Sequence, residues 1–177
     1  PDNYLVTLIS PDDVLSCIST ERTFVYDYFV DPGSLLKGIW LCRHHIDPAM
    51  DNALFLLGDV VFSRKMAHYI FSKTWNEITL FGRIGANKKT GKAASELFAL
   101  WIPYHSAESF FSELKLVWVS LADSGHEGKL WNLSREFGYR IRTLKDDYTD
   151  DIDSPQEYEQ FYELLNLAAI EDDLRLV

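Results

Sequence analysis

The stretch that decides the fold is ALFLLGDVVF at residues 53–62, the most hydrophobic part of the chain. Continuous apolar character of this kind is typical of a central parallel strand that is covered on both faces. Residues 4–9 (YLVTLI) and 22–30 (RTFVYDYFV) are further runs of strand length. Because predicted helices alternate with these runs, we expect an α/β fold with a largely parallel sheet.

Helix signals lie on both sides of this stretch. Helices are predicted over residues 34–44, 64–72 and 106–121, around residue 133, and from residue 155 onward. Ser10-Pro11 and Ser63 are typical helix N-caps, Gly138 is a typical helix end, and Ser154-Pro155-Gln156-Glu157 is a capping box. Residues 77–83 and 96–102 are predicted to be an antiparallel strand pair, and residues 139–144 a last strand.

Composition excludes several classes of protein. The 177 residues are 47% hydrophobic with a formal net charge of −10, which excludes a disordered chain and argues against a nucleic-acid binder. No apolar run approaches the roughly 18 residues of a membrane span, and no leader suggests export. We therefore expect a single domain over residues 1–177 in the cytoplasm, with Cys17 and Cys42 reduced.

The charge is unevenly spread along the chain. Residues 145–177 contain eleven acids and two basic residues, whereas residues 81–92 contain four basic residues and no acid. The two segments are either opposed solvated faces or the metal end and the phosphate end of one cleft.

Gly58-Asp59 lies in the hydrophobic stretch, at the end of its predicted strand. In open α/β sheets, ligands bind outside the carboxyl ends of the strands. Asp59 could therefore reach a substrate or a metal ion, with Gly58 leaving room for close approach. The alternative is that Asp59 only caps a turn.

Residues 149–155 (TDDIDSP) crowd three acids in front of a helix. Acids this close repel one another unless a cation offsets them, and the helix dipole favours only one. Mg²⁺ takes one or two carboxylates together with phosphates and water. Asp151 and Asp153 would point the same way in an extended segment. The alternative is a solvated acidic turn.

The loop at residues 82–92 is the third candidate. Arg83, Lys88 and Lys92 could contact phosphates, or could serve only solubility, and Glu96 at the border of the loop could orient a sugar hydroxyl or a lysine.

The segments LLGDV (56–60), FGR (81–83), TGK (90–92) and TDDIDSPQEY (149–158) resemble, in this order, the nucleotidyltransferase-like glycosyltransferase-A (GT-A) superfamily. This superfamily includes molybdenum-cofactor guanylyltransferase-like and sugar-phosphate nucleotidyltransferase-like proteins. The resemblance implies a Rossmann-like three-layer sheet and a Mg²⁺ or Mn²⁺ ion held by Asp59 with Asp151 or Asp153. The site residues implied are Asp59, Asp153 and Lys92 for catalysis, and Gly58, Arg83, Lys88 and Glu96 for substrate binding.

The implied activity is transfer of a nucleotidyl group from a nucleoside triphosphate to a sugar phosphate or similar phosphorylated small molecule, releasing pyrophosphate. The alternatives are a glycosyltransferase that uses a nucleotide-sugar and a degenerate, non-catalytic binding or assembly domain. The family opens with a strand and a Gly-rich nucleotide-binding loop, which do not precede residue 4 here. We therefore expect an N-terminally truncated domain whose open sheet edge is covered by a second copy or another chain.

Overall fold

A computed structural model of the chain describes residues 6–10, 23–27, 35–49, 51–124, 128–145 and 147–174. The chain divides into two compact units, one of residues 1–45 and 111–129 and the other of residues 46–110 and 130–177. Cys17 and the helix predicted from Pro11 onward lie outside the described residues.

The first unit contains a parallel strand pair and a short helix. Strands β1 (Val6–Ser10) and β2 (Thr23–Asp27) pair in parallel, which confirms two predicted strands. Helix α1 (Leu35–Leu41), predicted over residues 34–44, continues into a 3₁₀ helix (Cys42–His45) and buries Leu36 and Ile39.

The second unit is built on a four-stranded mixed sheet. Its strands are β3 (Ala53–Leu56), β5 (Thr79–Arg83), β6 (Glu96–Ile102) and β7 (Arg140–Arg142), in the order β3-β6-β5-β7. Strand β6 is antiparallel to β3 and β5, and β5 is parallel to β7. The antiparallel pair predicted around residues 77–102 is confirmed. The sheet is mixed rather than largely parallel.

The prediction that residues 53–62 form one central parallel strand is wrong. The stretch divides into β3 and a two-residue strand, β4 (Val60–Val61), separated by a turn at Gly58 and Asp59. Within the described residues β3 ends the sheet and is antiparallel to its neighbour. The inner strands are β6 and β5, and residues 97–102 of β6 are all buried. A continuous apolar run does not reveal a turn inside it. Hydrophobicity alone indicates neither where a strand ends nor whether its neighbour runs parallel or antiparallel.

The described residues contain four further helices: α2 (Arg64–Phe71), α3 (Tyr104–Asp123), α4 (Leu130–Phe137) and α5 (Pro155–Leu174). The predicted N-cap is confirmed, because the Ser63 hydroxyl accepts from the Met66 amide at 2.9 Å. Gly138 ends α4 in the left-handed region, with φ of 67°. None of the helices in the described ranges combines the length and apolarity needed to cross a bilayer.

An aromatic core fixes the strands that carry the site. The Trp75 ring lies 5.2 Å from the Phe81 ring and 5.3 Å from the Tyr69 ring, both edge-on. Just after Phe81, the ladder between β5 and β6 is irregular, and a Cβ on Gly82 would lie 2.3 Å from the Glu96 carbonyl oxygen. Only glycine permits this close approach, so Gly82 allows β5 to continue to Arg83 against β6.

Candidate active site

The chain at Gly58-Asp59 and the acidic segment at residues 149–155, both singled out in the sequence, are neighbours in space. Strand β4 pairs antiparallel with β8 (Asp150–Asp151). Beyond this pair, the Ile152 amide donates to the backbone oxygen of Asp59 at 2.7 Å. The turn is anchored on its other side by a bond from the Leu57 amide to the Phe98 carbonyl, at 3.0 Å. Asp59 is exposed, and its main chain runs beside the acidic segment.

Asp150 is completely buried and fully engaged. Its carboxylate accepts from Arg83 Nη2 at 2.7 Å, from Asn87 Nδ2 at 3.2 Å and from the Thr90 hydroxyl. Burial opposes ionisation, but the hydrogen bonds from Thr90 and Arg83 and the Arg83 charge hold the pKa of Asp150 below its usual range. Asp150 is therefore a buried carboxylate paired one-to-one with a cation.

Arg83 is committed to contacts within the protein. Besides Asp150, its guanidinium donates from Nη1 to the carbonyl oxygens of Gly85 and Ala94. Its Nε is buried with no hydrogen-bond partner among the described residues. These contacts tie the start of the basic loop to its end.

A second buried network fixes the chain just before β8. Asp147 accepts from the Ser63 hydroxyl at 2.6 Å and from the Thr149 amide at 2.8 Å. The Thr149 hydroxyl accepts from the Ser63 amide at 2.9 Å. Sequence reasoning missed Asp147 and Thr149, because a cap at Ser63 gives no indication of its distant partner.

Lys92 lies among three carboxylates. Its ammonium nitrogen is 2.9 Å from Asp153 Oδ2, 2.9 Å from Glu157 Oε2 and 3.7 Å from Asp151 Oδ2. Burial opposes its charge, but the hydrogen bonds to Glu157 and Asp153 and the nearby Asp151 charge raise the pKa of Lys92. The structure thus brings together three residues that the sequence singled out: Lys92, Asp151 and Asp153.

The carboxylates around Lys92 differ in their readiness to ionise. Burial and a shared hydrogen bond with Asp150 raise the pKa of Asp151 to about 6. The hydrogen bond and charge of Lys92 lower the pKa of Asp153. The Asp153 amide and Lys92 lower the pKa of Glu157. Asp151 is therefore the acid whose charge is least compensated.

The capping box at the start of α5 is shifted by one residue. The Glu157 amide donates to the Ser154 hydroxyl at 3.2 Å, as a capping box requires. The Glu157 carboxylate, however, accepts from the Asp153 amide at 2.8 Å rather than from the cap residue. This position lets the same carboxylate contact Lys92, a role that the capping motif did not predict.

The basic loop is a tight turn. Gly85 and Gly91 have positive φ, the Asn87 amide donates to the Lys92 carbonyl at 2.7 Å, and the Gly91 amide donates to the Asn87 carbonyl at 2.9 Å. The sequence analysis did not single out Asn87. Its buried side-chain amide anchors this Lys-rich loop.

The other predicted site residues lie apart from these ion pairs. Lys88 is exposed on the loop, and Gly58 is exposed in its turn. Glu96 is half-buried, and its carboxylate accepts from the Leu97 amide at 3.4 Å. No described contact joins Lys88, Gly58 or Glu96 to the acidic segment.

The acidic segment and Lys92 do not balance in charge. Three carboxylates share the one ammonium of Lys92, which leaves more negative than positive charge. Mg²⁺ prefers oxygen ligands and needs only one or two carboxylates when phosphates and water complete its shell. Within the described ranges, no three His, Cys, Asp or Glu side chains converge into an all-protein metal cage.

Comparison of the chain with protein-family models, with curated proteins and with solved structures finds no match. Any assignment of activity therefore depends on the chemistry of this site and on the order of the sequence motifs.

Proposed function

We propose that this chain is a GT-A-type nucleotidyltransferase. It transfers a nucleotidyl group from a nucleoside triphosphate to a sugar phosphate or a similar phosphorylated small molecule in the cytoplasm, releases pyrophosphate, and depends on Mg²⁺ or Mn²⁺. The observation that carries the proposal is the 2.7 Å hydrogen bond from the Ile152 amide to the backbone oxygen of Asp59. It joins the main chain at Asp59 to the acidic segment, the two places from which such an enzyme would draw its metal ligands.

The acids explain why the reaction needs a cation. Asp59, Asp151 and Asp153 would repel a triphosphate if their charges were left uncompensated. Asp59, with Asp151 or Asp153, holds the ion, which when bound neutralises phosphate charge and polarises the phosphoryl oxygens. Nucleotide binding is therefore expected to require the divalent cation.

The remaining residues divide between substrate contact and support. Lys92 and the exposed Lys88 supply positive charge to phosphates from the loop. Gly58 lies in open space, because a Cβ at this position would meet nothing within 4 Å, so the turn is accessible to a ligand. Arg83 supports the site through Asp150.

The test is nucleotide binding by calorimetry with each nucleoside triphosphate, in Mg²⁺ and in chelator. Asp59→Asn is expected to weaken metal-dependent binding at least about tenfold, to abolish pyrophosphate release and to leave the melting temperature unchanged or raised. Asp123→Asn, which removes an exposed acid at the end of α3, is the matched control. Equal binding with and without Mg²⁺, or normal turnover by Asp59→Asn, would contradict the proposal. Release of the nucleoside diphosphate with sugar transfer would indicate a glycosyltransferase.

One observation favours a second candidate, a non-catalytic domain of the same fold. Lys92 contacts Asp151 and Asp153 within the protein, so these acids also hold the loop in place. In that case the chain would bind no nucleotide with or without Mg²⁺, and Asp59→Asn would change nothing in the same experiment.

A further inference from the structure

A group of basic side chains lies at one end of the four-stranded sheet. Lys73 follows α2, and Arg140 and Arg142 lie on β7, the last strand of the sheet in the described part of the chain. Because the two arginines are two residues apart on a strand, they lie on the same face of the sheet. No contact among the described residues joins this group to Lys92 or to the acidic segment.

One carboxylate faces both arginines. Glu77 Oε1 accepts from Arg142 Nη2 at 3.1 Å and lies 3.7 Å from Arg140 Nη1. Both contacts use the same oxygen, so neither is the two-pronged pair in which a guanidinium binds a carboxylate most strongly. Arg142 Nε is buried and has no hydrogen-bond partner among the described residues. The two guanidinium groups therefore retain donors that no described acceptor uses.

An aromatic ring, rather than an acid, holds Lys73 in place. Lys73 Nζ lies 4.1 Å from the centre of the Trp75 ring, and Arg142 Cζ lies 5.3 Å from the same centre. Trp75 is buried, and its indole N–H donates to the Ile70 carbonyl at 3.1 Å. An aromatic ring attracts a cation through its quadrupole but does not neutralise its charge. Trp75 therefore positions Lys73 beside Arg142 without cancelling either charge.

The group lacks negative charge, although the whole chain has a formal net charge of −10. Among the described contacts, three cations have a single carboxylate between them. Cations held this close repel one another unless an anion compensates them. The side chains of Arg140 and Glu77 are 62% and 54% exposed, so the contacts between them are accessible to a dissolved anion. A further negative charge at this place would lower the repulsion.

We propose that Lys73, Arg140 and Arg142 form a binding site for a phosphate dianion, either free phosphate or the phosphate group of a monoester. Two guanidinium groups on one strand face present several N–H donors to one place, and the planar fork of arginine matches pairs of phosphate oxygens. This inference goes beyond the proposed function and does not rest on it.

The charge of the ligand follows from the part that Glu77 plays. A dissolved carboxylate would bring only the single charge that Glu77 already supplies, and it would also lose translational freedom on binding. A phosphate dianion brings two charges and several oxygens, so it can engage both arginines at once. Phosphate therefore competes with Glu77 for the arginines, and Glu77 is their anion when phosphate is absent.

The experiment measures the binding of inorganic phosphate and of glycerol 3-phosphate to the full chain by calorimetry. It is done in chelator, at low salt and at about pH 8, where phosphate is a dianion. The original chain is expected to bind phosphate. Binding of both compounds indicates that the phosphate group alone is recognised, whereas binding of the ester alone indicates a site for a larger phosphorylated molecule.

Arginine variants locate the bound phosphate. Arg140→Gln and Arg142→Gln are each expected to weaken binding at least about tenfold, because a charged donor is lost. Arg135→Gln, which removes an exposed arginine of α4, is the matched control and should bind as the original chain does. If circular dichroism shows that Arg142→Gln is unfolded, the exposed Arg140 provides the test.

Glu77→Gln separates an anion site from a purely structural ion pair. It is expected to bind phosphate about tenfold more tightly, because the competing negative charge is removed. If the arginines served only to hold Glu77, this variant would lower the melting temperature and would not bind phosphate more tightly. That result would overturn the inference.

Two further outcomes would also overturn it. One is that the original chain binds neither compound. The other is that Lys88→Gln weakens binding while Arg140→Gln and Arg142→Gln do not, because the phosphate would then bind at the candidate active site. Neither outcome contradicts the proposed function, whose test is binding of a nucleoside triphosphate with a divalent cation.

Discussion

Asp150 and Asp151 are adjacent on one short strand, but they differ in burial and in the groups that compensate their charge. Asp150 is sealed in the protein against Arg83, Asn87 and Thr90. Asp151 is partly exposed and shares a single ammonium, that of Lys92, with two other carboxylates. Successive residues of a strand point to opposite faces, so one peptide bond separates an acid that supports the fold from an acid available to a ligand.

The comparison shows what makes an acid structural. A buried carboxylate is tolerated only when a cation and hydrogen bonds satisfy it completely, and such a group has no oxygen left for a ligand. An incompletely satisfied carboxylate at the surface is the one that can bind a metal. Each prediction below tests whether the two sides of this strand differ as described.

The largest effect is expected from Asp150→Ala. Removing one partner of a buried ion pair leaves Arg83 uncompensated, and such changes cost about 3–5 kcal/mol in the free energy of unfolding. Asn87 and Thr90 lose their acceptor at the same time. Urea denaturation measures the loss.

Asp123→Ala is the matched control, since Asp123 is exposed at the end of α3, and its effect should stay within about 0.5 kcal/mol. If Asp150→Ala were as stable as this control, Asp150 would not be the structural acid that the comparison requires.

The two helix caps give a second, smaller contrast. Ser63 caps α2 and also donates to buried Asp147, so Ser63→Ala is expected to cost about 2 kcal/mol. Ser154 caps α5 at a half-exposed position with a single 3.2 Å bond, so Ser154→Ala should cost about 0.5 kcal/mol. Thermal and urea unfolding of the two variants would contradict the contrast if the losses were equal or reversed.

The caps also show how much of the fold was readable from the sequence. Ser63, Ser154 and Gly138 were predicted from local chemistry, because a cap depends on residues within one helical turn. The antiparallel pair β5–β6 was likewise predicted from its own strands and loop. The placement of residues 53–62 was not, since strand order depends on partners far along the chain.

The candidate site shows the same difference between local features, which the sequence predicts, and long-range contacts, which it does not. The acids at residues 59, 151 and 153 and the lysine at 92 stand out in the sequence by type and crowding. The long-range contacts of the site do not stand out in this way. Nothing local pairs Arg83 with Asp150 or Ser63 with Asp147, because these contacts exist only after the strands have assembled. The sequence could therefore list candidate acids but could not sort them into structural and available ones.

The smallest effect concerns the pH dependence of stability in metal-free protein, measured in chelator. The pKa of Asp151 is raised to about 6 by burial and by Asp150, with the charges of Lys92 and Asp153 also acting on it. A raised folded-state pKa stabilises the protein at low pH, and this contribution is lost as the pH rises through about 6. Asp150 and Asp153 have lowered pKa values, so their contribution is present above about pH 4 and is lost as the pH falls.

Asp151→Asn should therefore gain about 1 kcal/mol in the free energy of unfolding, relative to the original chain, between pH 4.5 and pH 7. The value is modest because solvent screens a partly exposed carboxyl. Urea titrations at both pH values measure this gain, and Asp123→Asn should show none. If the Asp151→Asn profile ran parallel to that of the original chain, Asp151 would be as well compensated as Asp150, and the acids on the two faces of the strand would not differ.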